Sequence, residues 1–305
     1  MDRKMTRMMP KTAYILQIHK NPGQVNQFIK QIISENHADV FIHIDKKNYE
    51  DLTRKIIRNP RVKILQESID VKWGDITQVD ATILLLKEVI ASGVNYDFVC
   101  FRSGQDLLVK NGFTEFLGEN KNKIFMNAFH VRKKEPHAAF VNVSWPKMTR
   151  RLYLNPFHPN RVFRRAIALL YSFGVNVLPN KSQLPKDYSI YNGSNWFCIP
   201  LDVANYIIKF LDENEWFYEV FKNSLVPDEF FFQTLIMNSK YKADVVNDNL
   251  MYIKFAESLK GRNNPITLTM EHIEIIKKSN EYFARKFDEN VDKVVIEYFT
   301  NQIKM

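Results

Sequence analysis

Cysteine and glycine are both scarce in this chain of 305 residues, which holds two cysteines and nine glycines. Two cysteines exclude a disulfide scaffold, and no Cys/His cluster has the spacing of a zinc site. Cys100 and Cys198 each sit in an apolar run, Phe98-Val99-Cys100-Phe101 and Trp196-Phe197-Cys198-Ile199, and are expected as buried free thiols. So little glycine excludes collagen, a flexible linker and a Gly-rich repeat array. No P-loop and no dinucleotide glycine fingerprint is present. Long apolar runs are missing too. Segment 166–178 is the most apolar, yet it contains Ser172, Gly174 and Asn176 and is too short to span a bilayer. Segment 13–18 is too short for a signal sequence and runs into His19-Lys20. A cytoplasmic protein is expected, in peripheral contact at most with an anionic membrane at its inner face.

What is present reads as an ordinary globular protein, with 45% apolar and 25% charged residues. Lysine and arginine number 43 against 34 acids, a net charge of +9 that suits an anionic partner. Strands are expected at 12–19, 39–44, 62–65, 96–102 and 123–129. Helices are expected at 24–36 and 76–92, from apolar residues at helical spacing. This alternation predicts an α/β fold, with a mostly parallel central sheet and helices on both faces. The later part is less regular. Helices are expected at 160–178, 201–214, 270–279 and 291–304, another starting at Pro227, and a strand pair at 189–199 around Gly193. In parallel sheets ligands sit at the carboxyl ends of strands. His19-Lys20, His43-Ile44-Asp45 and Ser103-Gly104-Gln105-Asp106 all fall there and are candidates for one cleft.

Asp228-Glu229 follows Pro227 and precedes three phenylalanines. Carboxylates in a first helical turn cap the helix, but beside apolar rings they also gain the raised pKa of a general base. In Phe283-Ala284-Arg285-Lys286-Phe287-Asp288 two cations between aromatics suit a diphosphate, or a solvated helix end. Trp73-Gly74-Asp75 opens a helix whose N-terminus can bind an anion, although Trp73 by itself reads as core. His43 and Asp45 share a strand face at a spacing that can bind metal, or form a buried histidine beside a turn. Arg150-Arg151 before Tyr153 can bind a sugar or lie in a solvated loop. The basic start of helix 160–178, with Arg161, Arg164 and Arg165, can rest on anionic lipid or pack as a surface helix. No Asp-x-Asp occurs, the pair with which metal-dependent nucleotide-sugar enzymes hold a diphosphate.

In their order, these stretches resemble the core-2/I-branching β-1,6-N-acetylglucosaminyltransferases and the related peptide O-xylosyltransferases (glycosyltransferase family 14). The matching residues are Ala13-Tyr14-Ile15-Leu16 to His19-Lys20, Ile42-His43-Ile44-Asp45-Lys46-Lys47, Trp73-Gly74 and Ser103-Gly104-Gln105-Asp106. Gly193-Ser194-Asn195-Trp196, Pro227-Asp228-Glu229 and Phe283 to Asp288 complete the set. The resemblance covers about residues 12–290. It implies one GT-A domain over 1–305, with a nucleotide-sugar half at about 10–130, an acceptor and catalytic half at about 131–290 and a C-terminal helix at 291–305. It implies inverting transfer from a UDP-sugar to a hydroxyl, with no cofactor and no divalent metal.

By resemblance Glu229 is the catalytic base, and Lys286 binds the diphosphate with Arg262 as the nearest second cation. Asp45, Asp106, His19 and Trp73 belong to the donor site. Arg150 or Arg151, with Trp196 and Asp228, belongs to the acceptor site. GlcNAc is the leading donor sugar and xylose the alternative. Two departures bear on specificity: Leu108 replaces the proline after the Ser-Gly-x-Asp stretch, and an Arg-Tyr-Ile-Asp-Trp-like segment reads Met251-Tyr252-Ile253-Lys254-Phe255. The many cysteines and the membrane anchor of the animal members are missing. That points to a bacterial-type cytosolic version acting on a surface-polysaccharide or lipid-linked oligosaccharide precursor. A non-catalytic glycan- or nucleotide-binding module is the reading from another class. Nucleic acid is not an expected partner, since the basic residues are not interleaved with a stacking platform.

Overall fold

The computed structural model describes residues 9–34, 36–256 and 265–303. In chain order come β1 (Thr12–Ile18), α1 (Pro22–Ile32), β2 (Ala38–Ile44), α2 (Tyr49–Lys55), β3 (Val62–Ile64), α3 (Thr77–Ala91), β4 (Phe98–Ser103), β5 (Leu107–Leu108), α4 (Phe113–Glu119), β6 (Ile124–Met126) and β7 (Phe129–Val131). Then follow α5 (Ala138–Asn142), α6 (Pro159–Ser172), β8 (Ile190–Asn192), β9 (Phe197–Pro200), α7 (Leu201–Glu213), α8 (Glu215–Phe221), α9 (Phe231–Met237), β10 (Val245–Val246), β11 (Met251–Ile253), α10 (Ile273–Lys278), β12 (Phe283–Arg285) and α11 (Lys293–Gln302).

The central sheet has seven strands in the order β10-β6-β9-β4-β1-β2-β3. β1 pairs in parallel with β2 and β4, and β2 with β3. β9 runs antiparallel between β4 and β6. The α/β architecture with a mostly parallel sheet is therefore the one observed. β1 is buried on both faces, as a central parallel strand must be. Alternation along it feeds two cores. Ala13 and Ile15 pack with Val79, Leu85 and Leu86 of α3 on one face. Tyr14, Leu16 and Ile18 pack with Val25, Phe28 and Ile29 of α1 on the other. A smaller sheet, β11-β12-β5, brings the 283–288 stretch beside the end of β4.

Three expectations are corrected. Cys100 and Cys198 are not free thiols but are joined as a disulfide. Their strands are antiparallel neighbours with these two residues directly opposite, a pairing that a separation of 98 residues conceals. Segment 189–199 does not form a strand pair with itself. β8 pairs with β7, and β9 enters the central sheet. The helix expected at 160–178 ends at Ser172, because Gly174 takes φ 88°. There the Gly174 amide donates to the Tyr171 carbonyl and the Val175 amide to Leu170, a Schellman closure that glycine adopts without strain.

Candidate active site

The parallel strands β1, β2 and β4 end at one edge of the sheet, and their loops enclose a cavity of about 170 Å3. Its walls include His19 after β1, Asp45 after β2 and Gly104 after β4. Antiparallel β9 brings its beginning, not its end, to that edge, and so adds Asn195 and Trp196. Arg285 of β12 closes the wall. Asn195 Oδ1 is buried with no partner among the described residues, an acceptor left for a ligand hydroxyl or amide.

Asp45 is 9% exposed, and its carboxylate accepts the Lys47 amide at 3.0 Å. His43 accepts the Ile69 amide at Nε2, 2.9 Å, and burial lowers its pKa to about 4. It is thus a neutral, bonded core histidine. Burial and the Lys20 cation also lower the pKa of His19. Among the described residues no three His, Cys, Asp or Glu side chains are grouped to hold a metal ion.

Asp106 is fully enclosed. It accepts the Ser103 amide at 2.7 Å, the Ser103 hydroxyl at 2.8 Å and the Trp196 indole at 3.1 Å. Arg285 stands 3.8 Å from the same carboxylate and lies over the Trp196 ring at 4.0 Å. Asp106 therefore sets Trp196 and Arg285 in place from behind the cavity wall. Lys286 follows Arg285. Burial lowers its pKa, and the Arg285 and Lys20 cations lower it further. Three cations gathered this closely suit a polyanion. Lys20 is held by Asp288 at 2.6 Å, and Asn21 donates to the same carboxylate at 3.0 Å. Arg262 lies outside the described residues.

Asp228 and Glu229 occupy a single 3-10 turn, Pro227–Glu229, ahead of α9. Phe230, Phe231 and Phe232 all enter the core, which anchors the turn. Its entry residue Val226 has φ 46°, a left-handed conformation that a β-branched residue rarely adopts. The Val226 amide donates to the carbonyl of Gly74, itself at φ 72°. On the other side the Gly193 amide donates to the Glu229 carbonyl at 2.9 Å. A Cβ on Gly193 would collide with the Asn127 carbonyl, so only glycine allows this approach. Such strain, over-determined by its surroundings, is characteristic of functional turns.

Glu229 is exposed at its surface and Asp228 half-buried, with protein packed behind both. That surrounding mass raises the pKa of Glu229, and the neighbouring Asp228 carboxylate raises it further. Burial raises that of Asp228 as well. Gln78 of α3 joins the two parts of the site. One end of its side-chain amide lies 2.8 and 3.2 Å from the two Asp228 oxygens, and with the nitrogen turned to that end it donates to both. The same residue lines the cavity.

Arg150 is buried, with its guanidinium 3.2 Å from Asp75 and donating to the Lys222 carbonyl at 2.7 Å. It braces the loop beneath Gly74 and offers no free face to a ligand. Arg151 is exposed. Trp73 is not core but 41% exposed, with the Arg164 guanidinium over its ring at 5.7 Å. Sequence reasoning missed Gln78, Asn195 and Arg285 as individual site residues. The last two lie inside recognised stretches, whereas Gln78 carries no signal within an amphipathic helix.

The site thus comprises a sheet-edge cavity with Arg285 and Asp45 in its wall, and a carboxylate pair on a strained turn reached through Gln78. The family model described as Core-2/I-Branching enzyme matches residues 12–280, and the chain belongs to that family. A xylosyltransferase, sqv-6, of Caenorhabditis briggsae is 24% identical over 94% of this chain and 36% of its own length. A β-1,3-galactosyl-O-glycosyl-glycoprotein β-1,6-N-acetylglucosaminyltransferase 4 of Danio rerio is 20% identical over 96% of this chain and 69% of its own. The chain thus spans about a quarter to a third of the length of the curated xylosyltransferases it matches. A crystal structure of mouse xyloside xylosyltransferase 1 in its apo form aligns with a TM-score of 0.41 at 11% identity, over 90% of this chain and 97% of that one. These relatives are animal proteins and give the expected bacterial setting no support.

Proposed function

We propose that the chain is an inverting glycosyltransferase that moves GlcNAc or xylose from a UDP-sugar to a hydroxyl of a glycan acceptor, without a divalent metal. One observation carries the reading: the Gln78 side chain lines the cavity that holds Arg285 and also faces the Asp228 carboxylate, which supports reading the cavity and the carboxylate pair as one continuous site. Relatives named for xylose transfer and for N-acetylglucosamine transfer support both donors.

In this reading the acceptor oxygen attacks the anomeric carbon from the Glu229 side. The bond from that carbon to the diphosphate oxygen breaks, and its electron pair stays on UDP. The acceptor proton passes to the Glu229 carboxylate, whose raised pKa makes it a stronger base than a solvated glutamate. Arg285 and Lys286, with Lys20 beside them, stabilise the charge growing on the diphosphate. Asn195 shapes the cavity around the donor sugar, and Trp196, expected at the acceptor, lines that same cavity and is reassigned to the donor. Asp228, held by Gln78, keeps the turn in register.

The test is UDP release from a panel of UDP-sugars in EDTA, with a glycan or lipid-linked oligosaccharide acceptor, for the wild type and Glu229→Gln. Release from one donor that survives EDTA and is lost in the variant is the expected result. Release that needs a divalent ion would overturn the metal-free mechanism. Absence of both release and UDP-dependent stabilisation would favour a binding module.

A further inference from the structure

Between Glu135 and Asp187 the chain has no acidic residue, while lysine and arginine occur eight times, against a net charge of +9 for the whole chain. The same stretch holds eleven of the eighteen large apolar side chains that are exposed among the described residues, all between Met148 and Val177. Phe157 is 80% exposed and Phe173 76%. Helix α6 buries only Ile167 and Ala168. Val162, Leu169 and Phe173 follow at helical spacing on the surface.

The loop before α6 folds back on its first turns. Arg161 donates to the carbonyls of Tyr153 and Leu154, and Arg165 to that of Pro156. This sets Leu154 and Phe157 beside the arginines, so cations and apolar tips share one face. Arginines in the first turns of a helix oppose its dipole, an arrangement that an external anion relieves. The segment is pinned at its base, with the Ser144 amide donating to Leu178 and the Asn180 amide to Asn142.

We propose that this face docks on the surface of an anionic lipid bilayer, with the exposed phenylalanines and leucines entering the acyl boundary and the basic residues meeting headgroups. Apolar side chains among cations match the amphipathic surface that lies in a membrane interface. The one-signed charge argues against a second copy of the chain, since the face would meet its own charge. Trp73, against Arg164, precedes Gly74, which bonds the turn carrying Glu229. Docking therefore holds the carboxylate pair beside the bilayer. The inference is independent of the sugar transferred.

The experiment is co-sedimentation of the full chain with phosphatidylcholine vesicles, with and without about 30 mol % anionic phospholipid. Binding to anionic vesicles at least ~10-fold tighter than to neutral ones, and weakened by salt, is expected. Phe157→Ser with Phe173→Ser should lose that binding while UDP still raises the melting temperature as in the wild type. No binding to anionic vesicles, equal binding to both compositions, or a double variant that binds like the wild type would each overturn the proposal. So would a wild-type dimer without lipid that the double variant dissolves, since the face would then be a self-association surface. UDP stabilisation missing from the wild type itself would fault the catalytic reading and leave the vesicle result standing.

Discussion

Glu229 and Asp228 form a destabilised pair, two carboxyls whose surroundings favour the protonated form. A base works deprotonated, so kcat/KM should fall as pH drops through an apparent pKa well above the ordinary value of 4.5. That limb belongs to the pair. Asp228→Asn removes the repulsion and should move the limb to lower pH, which a pH-rate profile reads directly; an unmoved limb would dissociate Asp228 from the base. Glu229→Gln should cost about 10²–10⁴ in turnover with the fold intact by circular dichroism. His43 works in the opposite sense. Its pKa is lowered from 6.5 to about 4, so the unfolded chain binds the proton first as pH falls. The stability this contributes is full above pH 6.5 and is lost between 6.5 and 4, up to about 3 kcal/mol. His43→Gln, which keeps an acceptor for the Ile69 amide, should flatten denaturant stability across that window.

At the scale of elements, the site depends on two close approaches. Gly193 lets the segment before β9 pass against Asn127 and bond the Glu229 carbonyl. Gly193→Ala should cost about 1–3 kcal/mol of overpacking in urea unfolding and lower turnover with it. A variant of wild-type stability would place the Asn127 contact elsewhere. The second approach is β12 beside β4, which stacks Arg285 on Trp196 with Asp106 behind both. Arg285→Lys keeps the charge and loses the planar stack, so UDP affinity measured by calorimetry should fall about tenfold. An unchanged affinity would leave the diphosphate to Lys286 and Lys20.

At the scale of the molecule, the cavity collects residues from β1, β2, β4, the approach to β9, and β12, two sheets in all. A nucleotide bound there closes contacts across both cores. At about a hundredfold excess over Kd, UDP should add about 2.7 kcal/mol to unfolding stability. A single cooperative transition that moves as a whole is the expected calorimetric trace. A split transition, with one part unmoved, would mean that the cores unfold separately.

Local patterns determined the parallel strands, the helices at α1 and α3 and the strand-end position of His19, Asp45 and Ser103. Strand and helix periods are local, and the ends of parallel strands share one edge by topology. The stretches holding Asp228-Glu229 and Arg285-Lys286 were legible as chemistry-bearing motifs. Only the tertiary structure decided that Arg150 is consumed by Asp75, that Trp73 is a surface ring, that Asp106 works from behind Trp196, and that Cys100 meets Cys198. It alone selected Gln78 as the joint between cavity and carboxylates. These outcomes depend on which distant segments share a register or a loop edge, and such long-range packing leaves no period in the chain.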